Sequence, residues 1–496
     1  DKYLLLYAMI INGEYLKFPS GMMIWHFMNW KNIFKSLKNK DMRNRVLGVI
    51  GLLVLYRFLA HVPVPLANPT ELKDVVANAI NSTDLGGFIN LLTGGSLTSF
   101  SIMLVGLSPF ITASIITQLM TKAIPSLEEL SNDGESGRQK IIQWTRVLSI
   151  PLAIVQSIAY IFILQNTVLS HNTTVFAGMS SMDWVVAVTA MTAGAILAMW
   201  IGEIITEKGV GNGISLLIFA GIISQLPTTL ATLLASITDV KTYGALNVFG
   251  WFTLPINPVV AGIGAIMIFA GIILLYILVK INEAQRVIII NYAKRVHGNS
   301  AYGGIKSILP VKMIVAGVIP VIFAVSFLSL PAFIGQIMKT SHINTELANK
   351  LITWFQAPNQ GNFKGDTWEA FIYPAAYFLL IVMFTYFYTS IVFNSNEIAD
   401  NLQKQGGFIE GVRPGVSTAE YLNKIVNRLN LFGALALGFI ALMPFVADYL
   451  LYNLASIQNS NLSIGGTGML IVVTVALETL RQVNSRALMV TYDQYE

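Results

Sequence analysis

The 496-residue chain contains no cysteine, and only 11% of its residues are charged. The lack of cysteine excludes a disulfide framework and any metal site built on thiolates. Soluble domains carry about 25% charged residues, so this chain has too few charges to cover several globular domains. Apolar residues make up 54% of the sequence, and the mean hydropathy is +0.64. The composition therefore predicts an integral membrane protein and excludes a disordered chain, a coiled coil and a basic nucleic-acid domain.

The sequence also lacks the motifs of common catalytic and metal sites. It has no Walker A, G-x-S-x-G, H-E-x-x-H or dinucleotide-binding pattern. Its five histidines are scattered without ligand spacing, so no metal or other cofactor is expected. Three N-x-S/T sequons, at Asn81, Asn172 and Asn461, are short enough to arise by chance. We therefore expect a protein that is not an enzyme.

Long apolar runs are what the sequence does contain. A bilayer core about 30 Å thick is crossed by roughly 20 apolar residues of helix, and about ten segments qualify. They are 46–64, 98–121, 143–165, 182–202, 213–235, 258–281, 313–334, 369–393, 430–449 and 464–484. Several contain glycine or proline, which spanning helices tolerate when neighbouring groups satisfy the freed backbone. The sequence therefore predicts about ten membrane-spanning helices.

Basic residues are concentrated on one side of these predicted spans. Of the 31 lysines and arginines, 23 fall on the side of residues 31–45 and of the long loops after spans 6 and 8, and five fall on the other side. Cytoplasmic segments carry the excess of lysine and arginine, so this side is predicted to be cytoplasmic. An even number of spans then places the N- and C-termini together in the cytoplasm.

The connections divide the chain into two halves of five predicted spans each. The N-terminal half is 46–235, the C-terminal half is 258–484, and residues 236–257 form an external hinge connection. An odd number of spans per half gives the halves opposite orientations, and inverted repeats place a pathway at their interface. The basic segment 31–45 is predicted to lie at the cytoplasmic membrane surface, and the tail 485–496 in the cytoplasm.

Two shorter segments leave alternatives open. Residues 1–30 contain two short apolar runs and are either an interfacial segment or an artefact of the choice of start site, so their role is unknown. Residues 84–97 are too short and too rich in glycine to span. They form either an external loop or a re-entrant helix that enters a cavity between the halves. The apolar residues of this segment are Phe88, Ile89, Leu91 and Leu92.

Ionisable residues inside spans mark transport pathways, and these spans hold few of them. Arg57 lies in span 1, Glu203 and Glu478 lie near cytoplasmic ends, and Gln118 is the clearest polar residue of span 2. If there is a pathway, its narrowest part is therefore apolar. An apolar constriction excludes water and closes around whatever passes, which suits a bulky, flexible substrate better than an ion or a sugar.

The long cytoplasmic loop 282–312 carries a strand signal. The β-branched run VIII after Arg286, a glycine-containing turn and the later run YGGIKSIL predict a β-hairpin that extends from the membrane. The loop is either an ordinary solvated connector or part of a docking platform, because rigid basic protrusions suit the capture of a partner.

The second long cytoplasmic loop, 394–429, leaves the same two alternatives open. The stretch ADNLQKQ predicts a short helix, and Arg413-Pro414-Gly415 predicts a rigid turn. Ser417, with Glu420 three residues later, predicts a capping box for the following helix.

At these loops the sequence resembles the SecY family, the channel subunits of bacterial protein translocase. The resemblance covers about residues 31–496. The longest matching stretches are GGSLTSFSIMLVGLSPFITASIITQL (94–119), MWIGEIITEKGVGNGISLLIFAGI (199–222), AGVIPVIFA (316–324) and FNSNEIADNLQKQGGFIEGVRPG (393–415). Shorter matches are GESGRQKIIQWTR, NYAKR and GGTGMLIVV. Outside this family, the alternatives are a solute carrier or an intramembrane enzyme.

The resemblance implies an all-α membrane fold of ten spans in two inverted five-helix halves, with residues 84–97 as a short re-entrant plug helix. It implies a passive channel that conducts unfolded secretory polypeptides across the bacterial cytoplasmic membrane and releases signal sequences and membrane segments sideways into lipid. The energy would come from the motor ATPase SecA or from the translating ribosome. SecE and SecG would be the partner subunits.

The resemblance also implies roles for single residues inside the membrane. Six aliphatic residues from four spans would form a pore ring: Leu107, Ile111, Ile214, Ile218, Ile322 and Ile471. Gln118 matches a polar residue of the lateral gate, which lies between spans 2 and 3 on one side and spans 7 and 8 on the other. The asparagine that the family usually has on span 7 is Ile314 here.

In the cytoplasmic loops, the resemblance implies docking of SecA and the ribosome. The residues concerned are Arg413, Arg286, Lys294 and Arg295. Two positions depart from the family pattern: Glu410 stands where the family has proline, and Val287 stands where it has a second basic residue.

Overall fold

The structure is a computed structural model. It describes residues 39–65, 100–169, 180–238, 246–248, 252–254, 258–292, 295–297, 300–302, 306–341, 343–355, 368–455 and 466–492. The predictions for residues 1–30 and for the plug segment 84–97 therefore lie outside the described residues.

Long helices dominate the described chain. In chain order they are α1 (Lys40–Leu59), α2 (Ser108–Ala123), α3 (Pro125–Asn132), α4 (Gly134–Leu169), α5 (Ser181–Lys208), α6 (Gly213–Thr238), α7 (Pro258–Glu283), α8 (Ile319–Thr340), α9 (Thr345–Phe355), α10 (Ile372–Val392), α11 (Ser395–Lys404), α12 (Val416–Ala455) and α13 (Gly466–Tyr492). All except α3, α9 and α11 fall on predicted spans, so each predicted span contains a helix. By length and hydropathy alone, six helical stretches of the described chain are long and apolar enough to cross a membrane.

Short strands lie only in the connections between these helices, as far as the chain is described. They are β1 (Leu246–Val248), β2 (Phe252–Leu254), β3 (Gln285–Tyr292), β4 (Arg295–His297), β5 (Ser300–Tyr302), β6 (Lys306–Lys312) and β7 (Gly407–Ile409). β1 and β2 pair as an antiparallel hairpin within the segment predicted to be the external hinge. The predicted hairpin of the first long cytoplasmic loop is confirmed, because β3 pairs with β6 and β4 pairs with β5, both antiparallel.

Two helices begin later than the predicted spans that contain them. Span 2 was expected from residue 98, but α2 begins only at Ser108. The preceding stretch bends at Phe100 (φ 42°) and Gly106 (φ 55°), and its Ile102 N–H donates to Val62 O at 3.0 Å. Span 7 was expected from residue 313, but α8 begins at Ile319. A backbone already bent and bonded to another segment cannot join the hydrogen-bond ladder of a helix, although its side chains are apolar.

Residues 40–45 of the predicted basic surface segment form the first turns of α1. Asn39 caps this helix by accepting a hydrogen bond from the Asp41 N–H at 2.9 Å. Asp41 then pairs with Arg45 one turn later at 2.8 Å. An acidic residue in the first turn also suits the positive end of the helix dipole.

The described residues form two compact units. The larger, which we call the main unit, contains residues 30–267, 322–377 and 443–496, and the smaller, the platform unit, contains residues 268–321 and 378–442. Helices α7, α8, α10 and α12 each contribute residues to both units.

Helix α5 lies at the centre of the main unit and packs against α1, α4 and α6. Its small residues allow close packing: Ala187 and Ala195 are buried in a cluster with Phe100 and Leu104 of the bent stretch before α2. Near the C-terminal end of α5, Glu203 pairs with Arg146 of α4 at 2.7 Å. The packing fixes the bent stretch, and with it the start of α2.

Replacing Gly194 with alanine tests this packing. A Cβ at Gly194 would collide with the backbone of Ile102, so either α5 or the bent stretch must shift. We expect a loss of about 1–3 kcal/mol in stability, the usual cost of overpacking, measured as a lower thermal midpoint in detergent. Gly51→Ala is the matched control. A Cβ added to Gly51 in α1 would meet nothing within 4 Å, and helix propensity alone should make this variant neutral or stabilising. Equal midpoints for the two variants would contradict the packing argument.

The platform unit is built on a three-stranded antiparallel sheet with the order β6-β3-β7. β7 belongs to the second long cytoplasmic loop, and it pairs Ile290 with Ile409. One face of the sheet is buried against α12, with Ile288, Val311 and Ile409 packed on Leu422 and Val426. The two long loops predicted to be cytoplasmic are therefore one folded body rather than two separate protrusions.

Candidate functional site

The six residues of the predicted pore ring all belong to the main unit. Leu107 occupies the position before the first residue of α2, and the Ile111 N–H donates to Leu107 O at 3.0 Å. The remaining four lie within the first two turns of their helices: Ile214 and Ile218 on α6, Ile322 on α8 and Ile471 on α13. The start of each helix thus presents aliphatic side chains.

These side chains are almost fully withdrawn from solvent. Leu107, Ile111, Ile218, Ile322 and Ile471 are each at most 6% exposed, whereas Ile214 is half-buried. Helix α6 packs against both α5 and α13, and Ile214 lies against Gly202 of α5. None of the six carries a titratable or hydrogen-bonding group, so the set can exclude water but can perform no acid–base or metal chemistry.

Helices α4 and α8 touch within the main unit through an aromatic pair. The rings of Tyr160 and Phe333 lie 5.5 Å apart between centroids, with a tilt of 57°. Towards the other end of α4, Thr145 lies 2.9 Å from Thr117 of α2, oxygen to oxygen. The helix predicted as span 2 therefore packs closely against that of span 3, and span 3 contacts span 7 through this aromatic pair.

Two buried amide oxygens in the same helices have no hydrogen-bond partner among the described residues. The Gln118 side chain donates to Ser114 Oγ at 2.9 Å, but its Oε1 is left unpaired, and so is Oε1 of Gln156 on α4. A buried acceptor without a partner costs about 1–3 kcal/mol. Ile314, which replaces the family asparagine, is buried in the bend before α8 and not in the span itself, which corrects the expectation that it lies on span 7.

Arg413 lies in an exposed turn between β7 and α12. Gly411 (φ 79°) and Gly415 (φ 95°) flank it in conformations that other residues rarely adopt. The Arg413 carbonyl accepts a hydrogen bond from Thr418 Oγ1 at 2.8 Å. The predicted rigid turn is confirmed, and the side chain projects from a fixed backbone.

The predicted capping box at Ser417 is wrong. α12 begins one residue earlier, at Val416, so Ser417 lies inside the first turn. Thr418, rather than Ser417, stabilises the start of the helix. Its N–H donates to Gly415 O at 3.0 Å, and its hydroxyl donates to the carbonyl oxygen of Arg413. The physical reason is that Gly415 turns the chain directly into the helix.

The other predicted docking residues lie in the first cytoplasmic loop. Arg286 pairs with Val311 in the sheet, and Arg295 is the first residue of β4, opposite Tyr302. Lys294 lies outside the described residues. Of the two departures from the family pattern, Glu410 is exposed directly after β7, and Val287 is half-buried opposite Pro310.

The sequence did not reveal that the outer face of this sheet is apolar. Ile289 and Ile308 face each other across β3 and β6 and are 55% and 64% exposed. Phe408 of β7 lies on the same face and is also exposed. The continuous apolar run of β3 could have identified this face, because it places isoleucine on both sides of the strand. The contribution of Phe408 depends on pairing across more than a hundred residues.

The long apolar helices of the described chain are those of a multi-pass membrane protein. Residues 101–480 match the model of the SecY family. The chain belongs to this family.

Close relatives are known from several bacteria under the description "Protein translocase subunit SecY". The proteins of Streptomyces galbus, Corynebacterium glutamicum and Mycobacterium tuberculosis are each 37% identical to this chain, and each match covers 93% of this chain and 98% of the relative. The family is one of channels, which confirms the predictions of a channel and of a protein that is not an enzyme.

Solved structures share the fold. One described as "The structure of a protein conducting channel" has a TM-score of 0.56 and 18% identity. A second, whose description concerns the plug domain that stabilises the closed SecY channel, has a TM-score of 0.59 and 17% identity. Each likeness covers 88% of this chain and 91% of the other. At such low identity they establish the architecture alone, and they confirm the predicted all-α membrane fold.

Proposed function

We propose that this chain is the channel subunit of a protein translocase in a bacterial cytoplasmic membrane. It conducts unfolded secretory polypeptides across the membrane and releases hydrophobic segments sideways into lipid. The observation that carries the proposal is 37% identity to translocase subunits over 93% of the chain. A solute carrier or an intramembrane enzyme is disfavoured, because neither the sequence nor the described residues supply a polar binding site or a catalytic group in the membrane.

The pore ring is the proposed constriction. Its six aliphatic side chains come from α2, α6, α8 and α13, and five of them are almost fully buried, which supports a closed resting state. An apolar constriction of this kind holds no hydrated ion, because an ion that enters loses its water and gains no ligand. A polypeptide needs no ligands from the ring to replace lost water. The aliphatic side chains therefore have only to move apart and pack around the passing chain. Residues 84–97 are the proposed plug of this constriction.

The lateral gate is proposed to run along α2 and α4 on one side and α8 and α10 on the other. The contact between Tyr160 and Phe333 supports a closed gate in which aromatic packing holds α4 against α8 near these two residues. The unpaired Oε1 atoms of Gln118 and Gln156 support a gate that opens at moderate cost, since they lose no hydrogen bond when the helices part. Signal-sequence insertion would bias this equilibrium from closed to open.

The platform unit is proposed to dock SecA and the ribosome through Arg413, Arg286, Lys294 and Arg295. A related channel has been solved in a canine ribosome-channel complex from the endoplasmic reticulum (TM-score 0.51, 16% identity). The exposed Arg413 on its rigid turn, with the basic residues of the neighbouring hairpin, suits both an acidic protein surface and ribosomal RNA. The platform would then face the cytoplasm with both termini, in agreement with the basic excess, and SecE and SecG would complete the complex.

Reconstitution provides the direct test. The chain, together with SecE and SecG partners, is placed in liposomes with SecA, a secretory precursor and ATP. We expect the precursor to become protected from added protease only when ATP is present. The matched control is the same liposome preparation without the chain. Saturable uptake of a small solute in the absence of SecA, with no protection of the precursor, would contradict the proposal and favour a carrier.

A further inference from the structure

A groove on the surface of the platform unit takes no part in the roles proposed above. Its volume is about 460 Å³, and it lies between α10 and the first half of α12. Six side chains form most of its wall: Asn423, Lys424, Asn427, Arg428 and Leu431 of α12, and Tyr386 of α10.

The spacing on α12 explains the groove. Residues three and four apart lie on one face of a helix, so 423, 424, 427, 428 and 431 form a single exposed stripe. The opposite stripe contains Leu422, Ile425, Val426 and Leu429, which are buried in the core beneath the sheet. The polar stripe is therefore held in place by the packing of its back face.

The polar groups of the groove are unused. None of the side chains of Asn423, Lys424, Asn427 and Arg428 makes a hydrogen bond or an ion pair within the part of the chain that the structure describes. Lys424 and Arg428 lie one helical turn apart, about 5–6 Å between their Cβ atoms, so each raises the energy of the other. Glu420 at the end of the groove offsets one of these two positive charges. An anion between the two cations would relieve the repulsion.

The groove lies where the surface of α12 changes from polar to apolar. Beyond Leu431, exposed residues on this helix are large and apolar, among them Phe432 and Phe439. Tyr386 lies six residues before the end of α10, about 9 Å along the helix axis. In helices that cross a membrane, tyrosine is enriched at the level where lipid headgroups meet acyl chains.

We propose that the groove binds the headgroup of an anionic phospholipid. The Lys424 ammonium and the Arg428 guanidinium pair with the phosphate, as basic pockets between membrane helices do with acidic lipids. The amides of Asn423 and Asn427 donate to the remaining phosphate and glycerol oxygens. Leu431 and Tyr386 contact the first methylene groups of an acyl chain. A free phosphate would use only the polar end of this groove, whereas a lipid uses both ends.

Lipid retention by the purified full-length chain tests the proposal without SecA or any precursor, so its outcome is independent of protein translocation. The chain in neutral detergent is titrated with phosphatidylglycerol or phosphatidylcholine, and bound lipid is counted by native mass spectrometry. The variant carries Lys424→Gln and Arg428→Gln. The matched control carries Arg138→Gln and Lys140→Gln, which remove the same two charges from an exposed part of α4.

We expect phosphatidylglycerol to bind at least ~10-fold more weakly to the groove variant than to the wild type or the control, a difference of about 1.4 kcal/mol. Lys424→Arg should retain binding, which separates the charge from any effect on folding. Equal retention of phosphatidylglycerol by the groove variant, or equal retention of phosphatidylcholine by the wild type, would overturn the proposal. Displacement of the lipid by an equal concentration of inorganic phosphate would assign the groove to free phosphate. If the lipid titration were unchanged, the proposal would fail, and weaker binding of SecA to the groove variant in a separate measurement would assign the groove to a protein.

Discussion

Replacing Ile218 with asparagine is expected to make the resting membrane leak ions. Ile218 is 2% exposed and lies one turn after Ile214 on α6, at the proposed constriction. An amide there offers hydrogen bonds to water and to a partly dehydrated ion, which lowers the permeation barrier by about 2 kcal/mol. Such a change is about 30-fold in rate. The measurement is single-channel or macroscopic conductance across a planar bilayer without SecA.

Two variants control for folding and for polarity in general. Ile218→Leu keeps an aliphatic side chain and should keep the seal. Ile223→Asn places the same amide on an exposed face of the same helix, where Ile223 is 37% exposed, and should leave the conductance low. A leak from Ile223→Asn equal to that from Ile218→Asn would show that the position in the ring has no special importance.

Reversing the charge at Arg413 is expected to abolish most SecA-driven translocation. The side chain is exposed on a turn fixed by Gly411, Gly415 and the bond from Thr418, so it would meet the proposed partner without prior ordering of the turn. Placing glutamate against an acidic partner surface costs about 2–5 kcal/mol. We therefore expect at least a ~30-fold slower rate of precursor protection. The resting conductance and thermal midpoint should not change, because the side chain packs against nothing in the core.

The control for Arg413→Glu is Lys404→Glu. Lys404 is exposed at the end of α11 in the same cytoplasmic loop, so the variant makes the same change of net charge nearby. We expect it to retain most of the rate. If both variants lost translocation equally, a general electrostatic field would explain docking better than a contact at Arg413. A normal rate for Arg413→Glu would remove this residue from the docking site.

Hydropathy predicted the helical spans well because a membrane helix satisfies its own backbone within one apolar segment. It failed where the backbone bonds elsewhere. Phe100 and Ile102 are as apolar as a span, yet their carbonyl and amide groups pair with Val64 and Val62. Only the fold reveals that pairing, so the start of α2 could not be read from composition.

The cytoplasmic loops show the same limit at longer range. The β3–β6 hairpin follows from a continuous β-branched run and a glycine-containing turn that lie close in sequence. The pairing of Ile290 with Ile409 joins residues more than a hundred positions apart, and three residues of β7 carry too little pattern to reveal it. Lys424 and Arg428 belong to the loop 394–429, which the sequence predicts to be cytoplasmic. Their common groove with Tyr386 depends on how α10 packs beside α12.

The pairing of β7 with β3 has a mechanical consequence. A force applied at the Arg413 turn is passed through β7 into the central strand, and from there into the end of α7 through Gln285. Neither loop can move alone without distorting the backbone hydrogen bonds between β3 and β7. Two different partners that bind different loops would therefore displace the same three-stranded sheet.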